Sequence, residues 1–134
     1  MTLFPAIGIS GTGVTLHRKW LDAISDNLAN INDARPTSGE AYRAKQVIAQ
    51  AVEYGDGTGG VQVGGIVEGD ADGRVVYAPD NALADVEGYV RMPDIDLADQ
   101  MGQLLMAQRG YASNLAVIDR AKDSYQQAIQ LGKG

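Results

Sequence analysis

The stretch LADQMGQLLMAQRGYASNLAVIDRAKDSYQQAIQL, residues 97–131, decides the architecture. Leu97, Met101, Leu104, Gln108, Tyr111, Leu115, Ile118, Lys122, Tyr125 and Ile129 recur in alternating steps of four and three, the heptad spacing of a helix that packs along its whole length. Ala98, Ala112 and Ala116, with Leu105 among them, line a second face that lets another helix approach closely. Pro93 followed by Asp94 and Asp96 supplies a start signal, and Gly132 after Leu131 a stop. At 1.5 Å per residue such a helix is about 50 Å long. A small domain cannot cover that length, so the helix needs partners beside it.

The N-terminal segment carries a matching pattern. Ile7, Val14, Leu21 and Leu28 form one heptad column, and Ser10, His17, Ile24 and Ile31 form a second. Gly8, Gly11 and Gly13 each cost roughly 1 kcal/mol relative to alanine inside a helix. The expectation is firm helix from about Val14 to Asn30, with upstream turns that form only on packing. Asn27, Asn30 and Asn32 sit in or beside an apolar run where asparagine is a poor helix former. They mark either a fraying helix end or amides that bond to neighbouring elements and fix register.

Between these segments the composition changes. Residues 33–88 hold four basic and ten acidic residues, and so carry the whole net charge of −6. Short β-capable runs at 42–52, 61–63, 66–67, 74–77 and 89–92 alternate with the turn signals Gly55-Asp56-Gly57-Thr58-Gly59-Gly60, Asp72-Gly73, Pro79-Asp80-Asn81 and Glu87-Gly88. Gly64-Gly65 marks a bulge or bend. The layout is α+β: two long terminal helices pairing as an antiparallel, coiled-coil-like inner domain (residues 1–32 and 94–134), with a small acidic antiparallel β-module (33–93) inserted between them.

Several chemistries are excluded or disfavoured. With no cysteine among 134 residues, disulfides, thiol nucleophiles and cysteine metal sites are impossible, and His17 is the single histidine. The acidic balance has the wrong sign for nucleic acid or an anionic membrane surface. No stretch approaches the roughly 18–20 apolar residues of a membrane span, and no cleaved signal peptide is expected. Glu68, Asp70, Asp72 and Gly73 match the first positions of an EF-hand loop, but Pro79 stands where the bidentate glutamate belongs, so a solvated acidic turn is favoured. The loop at 55–60 lacks a Walker lysine. Asp94, Asp96 and Asp99 read as helix-capping residues rather than a carboxylate centre. His17 reads as a packed residue of the seam, and Trp20 beside it as an interface anchor rather than a ligand platform. No nucleophile, base and oxyanion donors come together, so no enzyme, cofactor or metal is expected. What survives is a structural polymer subunit, or else a binding module whose acidic β-region grips a cation or a basic partner.

Leu21-Asp22-Ala23-Ile24-Ser25-Asp26-Asn27-Leu28-Ala29-Asn30-Ile31-Asn32 resembles the N-terminal signature of the bacterial flagellar rod and hook proteins, with Ser25 and Asp26 in place of its first Ala-Asn. Tyr42-Arg43-Ala44-Lys45, the run from Tyr77-Ala78-Pro79-Asp80-Asn81 through Glu87-Gly88-Tyr89-Val90 to Pro93-Asp94-Ile95-Asp96, and Ala107-Gln108-Arg109-Gly110-Tyr111 are similar to the proximal-rod branch of that family, with Ala82 for its usual proline and Asp94 for its usual asparagine. The resemblance implies a non-enzymatic rod subunit that assembles with itself and with other rod proteins. It also implies passage through the flagellar type III export apparatus without a cleaved signal, and a place in the basal body spanning the envelope. The expected assembly interface is Leu21, Ile24, Asn27, Leu28, Asn30, Ile31, Leu104, Tyr111, Leu115, Ile118 and Tyr125.

Overall fold

A computed structural model describes residues 3–133. Its elements in chain order are α1 (Leu3–Ala29), β1 (Lys45–Glu53), β2 (Gly59–Glu68), β3 (Arg74–Tyr77), β4 (Tyr89–Met92) and α2 (Leu97–Gly132). The strands form two antiparallel hairpins, β1 with β2 and β3 with β4. Among the described residues no helix is long and apolar enough to cross a membrane.

The helix α1 runs unbroken through its three glycines, further upstream than propensity alone predicts. Side chains in that region bond back to the helix. The Thr12 hydroxyl donates to the Ile9 carbonyl at 2.6 Å, Thr15 donates to Gly11, and the His17 Nδ1–H donates to the carbonyl of Gly13 at 2.7 Å. Packing against α2 and β2 completes the stabilisation. Most helical stability in proteins comes from such tertiary packing rather than from propensity.

In the first hairpin the register shifts between Ile48, paired with Gly65, and Ala49, paired with Val63. Gly64 is the extra residue, so the bulge falls within the Gly-Gly pair. The tip turns through Gly57 at φ +80°, and Asp56 accepts hydrogen bonds from the Thr58 hydroxyl and backbone N–H. Those bonds hold the Asp56 carboxyl below the ordinary carboxylate range. The Thr12 hydroxyl also accepts from the Val61 N–H at 3.1 Å and so occupies the outer edge of β2.

The second hairpin is extended by a bridge between Arg35 and Arg91, with N–H to carbonyl distances of 2.7 and 2.8 Å. The Arg91 guanidinium then donates to the carbonyls of Thr37 and Asp72, tying both flanking loops to β4. Val90, Pro93 and Ile95 are buried beneath this region. α2 opens on Asp96, whose carboxylate accepts the Asp99 N–H at 2.8 Å, and it continues through Gly132 to a cap at Lys133.

The loop from β3 to β4 is organised by Asp85, which accepts from the N–H groups of Tyr89 (2.9 Å) and Glu87 (3.0 Å) and from the Thr37 hydroxyl (2.9 Å). The Tyr89 bond above all holds the Asp85 carboxyl below its ordinary value. A depressed folded pKa gives stabilisation that is complete above the ordinary carboxylate pKa and lost as pH falls through the lowered folded value. Amide exchange at Gly88 and Tyr89 should therefore accelerate, relative to intrinsic rates, as the solution is acidified through that window. In Asp85→Asn the acid-dependent component should disappear.

Candidate assembly interface

Side-chain contacts between the helices set an antiparallel register. Phe4 meets Tyr125 edge-to-face at 5.7 Å, Gly13 faces Asn114, His17 packs on Gly110, and the Trp20 indole N–H donates to Gln103 at 3.3 Å. The seam on α1 is thus Ser10, Gly13, His17, Trp20, Ile24 and Asn27, again in steps of three and four. Opposite it on α2 lie Gln100, Gln103, Ala107, Gly110, Asn114 and Ala121. Ser10, Gly13, Ile24, Asn27, Gln100, Ala107 and Ala121 are buried. The second α1 column legible in the sequence, Ser10, His17 and Ile24, lies on this seam, whereas Ile7, Val14, Leu21 and Leu28 are half-buried on its flank and, on α2, Leu97, Met101 and Leu115 face outward. Small residues are the physical reason. A Cβ on Gly13 would lie 2.7 Å from Asn114 Oδ1, and one on Gly110 would enter the His17 imidazole. The backbones approach where side chains are smallest, and the bulkier apolar residues of α2 stay outside the seam.

Asn27 joins the helix pair to the β-module. It is 2% exposed. Its amide Nδ2 donates to the Lys45 carbonyl (2.9 Å) and to Gln100 Oε1 (3.1 Å), while its Oδ1 accepts from the Lys45 N–H (2.7 Å) and the Tyr42 hydroxyl (3.3 Å). All four hydrogen-bonding positions of the amide are filled. The side chain pairs with both backbone groups of Lys45 as a neighbouring strand residue would. Asp26, one residue earlier, accepts from Lys45 Nζ at 2.7 Å and keeps that ammonium above its usual pKa. Burial, the largest influence, raises the pKa of Tyr42. Asn27 therefore follows the register-fixing reading, whereas Asn30 donates to the Asp26 carbonyl and finishes the helix.

The expected interface residues fall into two groups. Ile24 and Asn27 lie inside the molecule, with Leu104, Tyr111 and Ile118 half-buried along the helix pair. Leu21, Leu28, Asn30 and Ile31 are half-buried on or just after α1. Leu115 at 38% and Tyr125 at 46% exposure present apolar surface outward. They are joined there by Leu97, Met101, Leu105, Met106, Val117 and Ile129, which are exposed as well. From residue 122 to 133 every side chain is exposed. The total accessible surface is 8852 Å², against about 6,800 Å² for a compact protein of this mass. The excess reflects helices with too little of their own chain to lie against.

The other candidates serve local structure. Asp70 accepts the Asp72 N–H at 2.9 Å, Asp72 lies 3.6 Å from Arg91, and Gly73 turns the chain at φ +55°. Glu68, Asp94, Asp96 and Asp99 border a cleft of about 440 Å³ at the Asn27 joint, together with Lys45 and Gln100. Gln100, Gln103, Gly110 and Asn114 lie outside the interface expected from sequence. Their signal is a polar and small-residue heptad running beside the apolar one.

A family model described as flagellar basal body rod FlgEFG protein C-terminal matches residues 86–131. The flagellar basal-body rod protein FlgC of Salmonella typhimurium is 36% identical over 134 residues, covering 99% of this chain and all of the relative. FlgC of Bacillus subtilis is 31% identical over 150 aligned residues, covering 99% of this chain and all of the relative. FlgC of Borreliella burgdorferi is 31% identical over 152 aligned residues, covering both chains fully. These relatives bear out the resemblance read from residues 21–32 and 77–96.

The close approach of the helices separates the glycines by role. A β-carbon at Gly8 or Gly11 would meet no atom within 4 Å, so Gly8→Ala and Gly11→Ala should each raise helix stability by up to about 1 kcal/mol. Gly110→Ala should lower it, by roughly 1–3 kcal/mol, because His17 has to move. Thermal unfolding followed by far-ultraviolet circular dichroism distinguishes the two directions.

Proposed function

This chain belongs to the FlgC family of flagellar basal-body rod proteins, and from that premise we propose that it is a structural subunit which polymerises through its terminal helices into the drive shaft. In that role the α1–α2 pair forms the inner wall that transmits torque and encloses the export channel, and residues 33–93 form a separate outer module. The partners are further copies of the chain and other rod proteins, reached after export through the flagellar type III apparatus without a cleaved signal.

One observation carries this reading. α2 is the longest element, and it leaves Leu97, Met101, Leu105, Met106, Leu115, Val117, Ile129 and Leu131 exposed along its length. Exposed apolar surface on this scale marks a protein–protein contact. Its extent suits a subunit covered by neighbours on several sides, as in a closed or helical array.

The interface residues divide by task. Ile24, Asn27, Leu104, Tyr111 and Ile118 build the helix pair that neighbours recognise. Leu115 and Tyr125, with the half-buried Leu21, Leu28, Asn30 and Ile31, meet those neighbours directly. Disrupting the first group unfolds the subunit, and disrupting the second leaves it folded but unassembled.

Leu115→Asp tests the division. Leu115 is partly exposed, so the purified chain should keep its helical content, while burial of an unpaired carboxylate in the assembled wall should abolish rod completion and swimming. Asp70→Asn, in the acidic turn, should leave swimming intact. Motility in soft agar and electron microscopy of basal bodies provide the readouts. If Asp70 matters and Leu115 does not, the acidic module is the functional centre instead.

A further inference from the structure

Building on that reading of the chain as a self-assembling subunit, we propose that the loop formed by residues 78–88 docks on the outer face of α2, over residues 100–118, of a neighbouring copy.

The loop is fixed in one shape. Backbone bonds run from the Ala78 N–H to the Gly88 carbonyl (2.9 Å), from Asp85 to Tyr89 (2.9 Å), from Gly88 to Asp85 (3.0 Å) and from Ala84 to Asn81 (3.0 Å). Asn81 Oδ1 accepts from the Leu83 N–H at 2.9 Å, and Asp85 adds the three bonds described above. Gly88 sits at φ +87°, where a side chain would also press on Tyr77 and Pro79. Yet this order buries little of the loop's own apolar surface. Val86 is fully exposed at 105%, and Leu83 is 45% exposed. A pre-ordered loop loses little conformational entropy on docking, which is what a recognition element needs.

Charge identifies the occupant. Residues 78–88 contain Asp80, Asp85 and Glu87 and no basic residue. Between Gln100 and Ile118 the only charged residue of α2 is Arg109. Around Arg109 stand Leu105, Met106 and Val117, all exposed, with the small, exposed Ala112 and Ala116 permitting close approach. An apolar, acidic knob and an apolar, basic strip are complementary. Within one chain both remain uncovered, and a second copy supplies each with its complement.

The test is a photoreactive side chain at the knob, Val86→p-benzoylphenylalanine, in a bacterium whose only copy of the chain carries it. Irradiated basal bodies should yield covalent dimers of the chain, with adducts mapped by mass spectrometry to residues 100–118. Arg109→Glu should reduce the dimer yield several-fold, and Arg109→Lys should preserve it. Adducts only to other proteins, adducts elsewhere on this chain, or no adduct from basal bodies that contain the chain would each overturn the docking while leaving the rod reading intact. Absence of the chain from the basal bodies of swimming cells would instead overturn the rod reading, and the docking with it. Because the chain has no native cysteine, Val86→Cys combined with Val117→Cys repeats the test by disulfide formation, with each single variant as its control.

Discussion

The buried amide of Asn27 is the constraint on which the remaining geometry depends. A helix, a strand and a second helix converge on one side chain, and each of its four hydrogen-bonding positions has a different partner atom. Removing one partner from such a group leaves another buried and unsatisfied, at a cost of about 1–3 kcal/mol. The amide therefore sets both the register of α1 against α2 and the point where β1 begins. It also gives β1 a pairing partner at its outer edge, where a free strand edge invites unwanted pairing.

From that joint the two helices run side by side along a seam to which α2 contributes only glycine, alanine and polar residues. The choice has a consequence for assembly. A seam built from small groups brings backbones close but buries little apolar area, so intrachain helix pairing contributes modestly through the hydrophobic effect. The leucines and methionines of α2 other than Leu104, together with Val117, lie toward the outside and keep more than a third of their surface exposed. An extended molecule with uncovered apolar stripes is poorly suited to a solitary existence and well suited to a wall. The β-module adds charge and shape, with Asp70 and Asp85 engaged in turns and Asp72 beside the Arg91 guanidinium.

The architecture is legible in the sequence where the local signals are strong. The heptad steps of residues 97–129, the Asp96 cap, the Gly64-Gly65 bulge and the β-capable runs all correspond to observed elements, the runs at 61–63 and 66–67 merging into β2. Two features are not legible. The upstream half of α1 forms despite Gly8, Gly11 and Gly13, because back-bonding hydroxyls and packing outweigh propensity there. The facing side of α2 lies about one column away from its apolar one, because hydrophobic periodicity identifies apolar stripes and not which stripe meets which partner. His17, Ile24 and Asn27 stand out in the sequence, but the partners Gly110, Asn114 and Gln100 carry no apolar signal. For the interface, this means that an apolar column read from sequence in a polymer subunit points outward as readily as inward.

The claim that one amide locks three elements together is tested most directly by native-state hydrogen exchange on Asn27→Ala. A joint response is expected: the Lys45 amide, the paired strand amides at Gln46 and Val67, and the first turns of α2 around Gln100 lose protection together, while the middle of α1 retains it. Loss of protection at Lys45 alone, with α2 and the β1–β2 ladder unchanged, would contradict it.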